Sequence, residues 1–137
     1  MSEVEGQDLG TTVRSTAVFD RRVESASDAR AWLTAFLAEH DLDEPTVMDA
    51  ALVTSELVTN ALRHGAGASV LRVGLNDGEV QLSVTDSGDH EPRVLPRDAD
   101  RIGGLGLVVI DRLTASWGVS AFPGGKTVWA ILARPEP

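Results

Sequence analysis

The chain has 137 residues, 42% hydrophobic and 24% charged, which are ordinary values for one globular domain. Its formal net charge of −9 argues against a protein that binds the phosphate backbone of nucleic acids. There are no cysteines, which excludes disulfides and thiolate metal sites. No apolar run approaches the roughly 18 residues of a membrane span, so we expect a soluble, cytoplasmic protein.

The beginning of the chain differs in composition from the rest. Residues 1–12 are polar and aperiodic, and we interpret them as a mobile tail. A single domain is expected over residues 13–137. It opens with a predicted strand over 13–19, followed by a helix over about 26–40 whose apolar residues recur at helical spacing.

A second predicted helix, over 45–64, carries the first candidate site residues. Gly65 is a suitable stop for this helix, because glycine is favoured just after a helix end. Its apolar residues gather on one side, and Glu56 and Asn60 project from the other. An acid and an amide in this arrangement most often belong to a solvated helix face. The alternative is chemical: an amide oxygen suits Mg²⁺, and a carboxylate one turn away can accept a proton from a hydroxyl nucleophile.

Two further features of the middle of the chain bear on function. His64 lies beside Asn60 near the helix end, where it either meets a phosphate or interacts favourably with the helix dipole. Two alternating runs, over 70–75 and 80–85, flank an Asn-Asp-Gly-Glu turn and predict a β-hairpin.

Asp86 continues the inward-facing phase of the second hairpin strand. A carboxylate in that position needs a hydrogen-bond donor to offset its desolvation, and the exocyclic amine of adenine is one such donor. The alternative is a turn-initiating aspartate in Asp86-Ser87-Gly88. Gly88 would permit close approach of the backbone to a base.

A long loop over 86–102 precedes the last part of the domain, and we interpret 89–102 as a functional lid. A helix is predicted over 105–115, opened by Gly103-Gly104-Leu105-Gly106. Glycine-rich helix starts suit phosphate binding, although glycines also make tight turns. Two closing strands are predicted over 116–122 and 126–133.

These elements predict a two-layer α/β sandwich with a mixed, mostly antiparallel sheet and helices on one face. Gly125-Lys126-Thr127 resembles the end of a P-loop. However, Ser120 stands in place of the required first glycine, and a β run follows where a P-loop needs a helix. We therefore exclude a P-loop.

Three segments together resemble the nucleotide-binding boxes of the Bergerat-fold (GHKL) ATPases. They are Glu56 to Gly65, Asp86 to Gly88 and Gly103 to Leu107. Within that superfamily the sequence is most similar to stand-alone bacterial anti-sigma-factor serine/threonine kinases of partner-switching systems. The resemblance implies a histidine-kinase-like ATPase fold. The second box departs from the family pattern at His90, where glycine is common.

The resemblance also implies roles for individual residues. Glu56 is expected to be the catalytic base and Asn60 the magnesium ligand, with His64 in the nucleotide site. Asp86 is expected to bind the adenine amine, with Thr127 helping through a water molecule. The remaining expected nucleotide contacts border the base or the phosphates: Gly88, Gly104, Leu105 and Gly106.

The implied function is an ATP- and Mg²⁺-dependent protein kinase that acts as an anti-sigma regulatory factor. Its expected substrate is a seryl or threonyl hydroxyl on an anti-anti-sigma (STAS-type) protein. A sigma factor and a second copy of the chain are the other expected partners, with no direct contact to nucleic acid or membrane. The alternative is a non-catalytic regulatory binding module of the same fold, with nucleotide as an allosteric ligand or not at all. A stand-alone ATP hydrolase is a third possibility.

Overall fold

In the part of the chain that the structure describes, five strands form one sheet, and three helices cover one of its faces. The computed structural model describes residues 12–88 and 104–135, with residues 104–106 described in their backbone only. The strands are β1 (Val13–Phe19), β2 (Ser69–Leu75), β3 (Glu79–Ser87), β4 (Ser116–Phe122) and β5 (Gly125–Ala133). The helices are α1 (Ser25–Ala38), α2 (Glu44–His64) and α3 (Gly104–Leu113).

The strands follow the order β1-β2-β3-β5-β4, so β5 returns to the middle of the sheet and β4 lies at its edge. All four pairings among the described strands are antiparallel. The predicted two-layer α/β sandwich is therefore confirmed. The mixed character that we expected for the sheet is not seen in the described part of the chain.

The hydrophobic core lies between the sheet and the helices. Alternate residues of β3 point into it, and Val80, Leu82 and Val84 are at most 2% exposed. Leu57 of α2 and Leu33 of α1 pack into the same core. Burying each such side chain contributes about 1.5–3 kcal/mol. None of the described helices is long and apolar enough to cross a membrane.

The element boundaries agree with the predicted ones within one or two residues. The difference that matters is at the end of β3. This strand continues to Ser87 and pairs Asp86 with Lys126 of β5, so Asp86 belongs to the sheet and does not initiate a turn. The predicted tail, apart from Thr12, and the predicted lid over 89–102 lie outside the described residues. The single domain over 13–137 stays a prediction.

Asp43 sets the start of α2, the helix that carries two of the candidate site residues. Its carboxylate accepts hydrogen bonds from the backbone N–H of Thr46 at 3.1 Å and from the Thr46 hydroxyl at 2.9 Å. The side chain thereby satisfies one of the N–H groups that have no partner in the first turn of a helix. The hydrogen bond from the Thr46 side chain is the main reason why the pKa of Asp43 is lowered from 3.8.

Replacing Asp43 by alanine should lower the thermal unfolding midpoint at neutral pH, because the first turn of α2 loses its acceptor. Since the folded-state pKa is lowered, the charged cap contributes stability above the ordinary pKa of 3.8, and this contribution is lost as the pH falls through the folded value. Unfolding curves of wild type and Asp43→Ala should thus converge in acid. Asp43→Asn, which keeps an acceptor without the charge, is the control. A constant difference from neutral pH into acid would contradict the assignment.

Candidate functional site

The second half of α2 presents three polar side chains on one side of the helix. Glu56, Asn60 and His64 recur every four residues and therefore lie above one another, each of them half-buried. Leu57 and Ala61, their neighbours in sequence, are 1% and 4% exposed. Burial of the apolar side determines the rotation of the helix and with it the direction of the acid and the amide.

Asp86 lies in the last part of β3 on the face that the helices cover. The residue is 3% exposed, and its Oδ2 atom accepts a hydrogen bond from Lys126 Nζ at 2.7 Å. The side chains of Lys126 and Asp86 are 1% and 2% exposed, so the two charges form a buried ion pair. In such a pair each ion offsets part of the desolvation cost of the other.

Two glycines allow the backbone to approach Asp86 closely. A Cβ atom on Gly65, directly after α2, would lie 2.9 Å from Asp86 Cβ and 3.0 Å from Asp86 Cγ. A Cβ atom on Gly125 would overlap the carbonyl oxygen of Asp86. The backbone N–H of Ala66 also donates to Ser87 O at 2.7 Å. The end of α2 and the end of β3 are therefore in direct contact, which brings together two segments that the sequence predicted for one site.

Lys126 is the site residue that the sequence analysis missed. The sequence analysis noted it in the rejected P-loop and assigned it no role in the site. The sequence did contain a signal. Lys126 alternates in step with Val128, Ala130 and Leu132, so its side chain is expected on the buried face of its strand. Asp86 has the same relation to the buried residues of β3. Lys126 is also the only lysine in the chain.

Thr127 is not where the sequence analysis expected it. Since successive side chains of a strand alternate between the two faces, Thr127 points to the face of the sheet opposite to Lys126 and Asp86. Its hydroxyl is hydrogen-bonded to the Thr85 hydroxyl at 2.7 Å. The structure thus does not bring Thr127 together with Asp86, and we remove it from the candidate site.

The structure describes Gly88 in full, but it describes Gly104 and Gly106 in their backbone only. Gly88 is half-buried, and its backbone N–H donates to Gly124 O at 2.7 Å, which ties the end of β3 to the β4–β5 turn. The glycine-rich segment does open a helix, since α3 begins at Gly104. The side chain of Leu105 and the whole of His90 lie outside the described residues.

Magnesium would have few protein ligands at this site. Among residues 12–88 and 104–135, no cluster of three or more His, Cys, Asp or Glu side chains could hold a metal ion. Mg²⁺ commonly keeps several waters and binds through one or two protein oxygens together with substrate phosphates. The amide of Asn60, half-buried and in line with Glu56 on α2, fits such a role.

A cleft of about 410 Å³ lies elsewhere, on the face of the sheet that the helices leave open. Arg14, Arg72, Gln81 and Trp129 are among its lining residues. None of the predicted site residues lines it, so it is not the candidate nucleotide site.

Comparison with known proteins identifies the family. The model of the histidine kinase-like ATPase domain matches residues 19–132, which is most of the chain and includes every described site residue. The chain belongs to this family. Membership in the histidine kinase-like ATPase family implies ATP binding, and the elements that this family model covers include the whole of α2 and β3.

The similar proteins of this ATPase family include anti-sigma factors. The chain is 37% identical over 81 residues to the anti-sigma F factor of Geobacillus stearothermophilus, a match that covers 56% of each protein. It is 28% identical over 106 residues to the anti-sigma F factor of Clostridium botulinum (strain Eklund 17B / Type B), covering 68% of the chain and 74% of the relative. The match thus spans just over half the length of the Geobacillus relative.

One solved structure also has a fold similar to that of this ATPase domain. The structure of the RsbU and RsbW domains of Rv1364c from Mycobacterium tuberculosis superposes with a TM-score of 0.68 at 25% identity. The superposition covers 90% of this chain and 33% of that one. The fold is therefore common to both proteins over nearly the whole of the present chain.

Replacing Gly65 by alanine should disturb the contact between α2 and β3. The added methyl group would lie 2.8 Å from Ala61 O and 2.9 Å from Asp86 Cβ, so the helix end or the carboxylate has to move. Overpacking of this kind costs about 1–3 kcal/mol. Urea denaturation should show that loss, and calorimetry should show weaker ATP binding.

Gly78→Ala is the matched control for this substitution. An added Cβ there would meet only Asn76 Oδ1, at 3.9 Å, so stability and ATP affinity should stay near those of wild type. Equal effects of the two substitutions would contradict a special role for the Gly65 contact.

Proposed function

We propose that this domain is an ATP-dependent serine/threonine protein kinase that acts as an anti-sigma regulatory factor. The observation that carries the proposal is the contact of Gly65, at the end of α2, with Asp86, near the end of β3. Through this contact the helix that bears Glu56 and Asn60 lies beside a buried carboxylate. A hydroxyl nucleophile, a magnesium ion and an adenine amine are the groups that these three side chains suit.

On the phosphate side of the proposed site, the residues of α2 have distinct tasks. Asn60 provides an amide oxygen to Mg²⁺, and His64, one turn later, contacts phosphate oxygens. When bound there, Mg²⁺ would offset negative charge on the transferred phosphoryl group and the leaving nucleotide. Glu56 orients the attacking hydroxyl and accepts its proton. Positioning and electrostatics account for most of the proposed rate enhancement.

On the base side, Asp86 accepts a hydrogen bond from the adenine amine. Gly88 borders the base, where a side chain would obstruct it. The backbone of Gly104, Leu105 and Gly106, at the start of α3, donates N–H groups to the phosphates.

The proposed substrate is a serine or threonine on a STAS-type anti-anti-sigma protein, and the proposed second partner is a sigma factor. The anti-sigma F factors among the similar proteins and the RsbU and RsbW domains of the similar structure support this assignment. The net charge of −9 suits partner surfaces of basic character.

One observation favours a second candidate, a non-catalytic module of the same fold that captures a partner protein. The similar proteins are named anti-sigma F factors, a name that states action against a sigma factor and does not state phosphoryl transfer. In this alternative, nucleotide is an allosteric ligand or has no role. Phosphate transfer to a purified anti-anti-sigma protein separates the two candidates, because only the kinase labels its partner.

The magnesium assignment predicts that Asn60→Ala removes the metal-dependent part of ATP affinity. Loss of a group that merely supports a metal ligand costs about 10–100-fold, and loss of the ligand should cost at least as much. Calorimetric titration with ATP, with and without Mg²⁺, measures the effect. Gln81→Ala removes a half-buried amide from the open face of the sheet and is the matched control. Undiminished magnesium dependence in Asn60→Ala would refute the assignment.

The base assignment predicts that Glu56→Gln keeps ATP affinity and loses phosphoryl transfer. The amide preserves the shape of the side chain but cannot accept the proton, so transfer should fall about 10²–10⁴-fold. Radiolabel incorporation into the partner protein gives the rate, and calorimetry gives the affinity. The matched control is Glu79→Gln, which alters a carboxylate on the open face. Partner labelling at the wild-type rate by Glu56→Gln would exclude Glu56 as the base.

A further inference from the structure

The buried pair of Asp86 and Lys126 calls for an explanation beyond stability. The ammonium and the carboxylate are 2.7 Å apart, and the two side chains are 1% and 2% exposed. Lysine is rarely buried to this extent, and a buried ion pair is often no more stabilising than a well-packed apolar pair of the same volume. Core packing alone therefore gives little reason for a lysine at this position.

The ammonium has more donors than the described structure uses. It carries three N–H groups, and within residues 12–88 and 104–135 it donates one hydrogen bond, to Asp86 Oδ2. The carboxylate has about four lone-pair positions, so accepting a bond from Lys126 does not use up its capacity. Lys126 can thus donate to a ligand while the pair remains intact.

Small residues flank the pair along its row of the sheet. Asp86 and Lys126 are cross-strand partners in one row of the sheet, and the row continues with Ser69 on β2 and Ala121 on β4, both of them small. Gly65 also borders the carboxylate. Large side chains are thus avoided on both sides of the two charges.

We propose that Lys126 and Asp86 together form hydrogen bonds to the purine base. This inference rests on the proposed binding of ATP at this site. Adenine presents an amine that donates, flanked by ring nitrogens that accept. Asp86 accepts from the amine, and Lys126 donates to the flanking nitrogen, N1 or N7. The ammonium thus takes the task that the sequence analysis had given to Thr127 and a water molecule. Lys126 is a specificity-determining residue of the site.

The test combines a protein variant with nucleotides that lack one acceptor. Wild type and Lys126→Met are titrated with Mg²⁺ and ATP, 1-deaza-ATP or 7-deaza-ATP in a calorimeter. Wild type should bind one of the two analogues about 10–100-fold more weakly than ATP, the usual effect of a lost hydrogen bond to a charged group. In Lys126→Met, that analogue and ATP should bind equally. Arg30→Met, which removes an exposed cation from α1, should keep the discrimination of wild type.

A second measurement needs no variant, which matters because Lys126→Met leaves a buried carboxylate without its counter-ion and is expected to be unstable. Since Lys126 is the only lysine, ¹⁵N-lysine labelling gives one side-chain ammonium signal. That signal should shift on addition of ATP and shift less with the analogue that binds weakly.

The outcomes separate this inference from the proposed function. Equal binding of ATP and both analogues by wild type, with the same ammonium shift for all three, would reject the role of Lys126 and leave ATP binding intact. Absence of binding of any nucleotide to wild type would reject the proposed function and the role of Lys126 with it. Discrimination in wild type that persists in Lys126→Met would assign base reading to another group.

Discussion

The structure depends on the burial of one side of α2. Leu57 and Val58 of this helix enter the core between sheet and helices, and they are 1% and 0% exposed. A rotation that directed Glu56 inward would bury an unpaired charge and expose leucine and valine, so it is strongly disfavoured. The rotation of α2 is thus determined by the hydrophobic core, and the candidate catalytic side is a consequence of it. A helix positioned in this way holds Glu56 and Asn60 more rigidly than a loop would.

The end of β3 presents the opposite situation, because there a charge is on the buried face. Strand alternation directs Asp86 toward the helices, and Lys126 of the neighbouring strand compensates it. Gly65 allows the end of α2 to approach the carboxylate, and Gly125 allows β5 to approach the backbone carbonyl of Asp86. A buried pair of this kind adds little net stability, because the desolvation of both charges offsets much of their attraction. At the nucleotide site that we propose, Asp86 therefore has a cationic neighbour, Lys126.

Much of the fold was predictable because local patterns and global packing agree. The hairpin between β2 and β3 is an example: Asn76 Oδ1 accepts hydrogen bonds from the backbone N–H groups of Gly78 and Glu79, each at 2.9 Å, as its turn sequence indicated. The candidate site was predictable only in part. Glu56, Asn60 and Asp86 were predicted from helix side and strand phase, and they stay proposed site residues. Thr127 was assigned through the resemblance and lies on the other face. The same alternation of faces, applied to β5, puts Lys126 and not Thr127 on the face that Asp86 shares.

The amino-acid sequence by itself determined the order of the elements, the side of each that is buried and the membership in an ATPase family, because periodicity and motif spacing are local properties of the chain. The tertiary structure alone decided which residue stands beside Asp86. Antiparallel pairing of β3 with β5 joins residues 40 positions apart in register, and the direction of a side chain in that register changes with a shift of one residue. Contact between Gly65 and Asp86 likewise arises only when α2 packs on the sheet. The chemistry of the site therefore follows from packing that no single segment encodes.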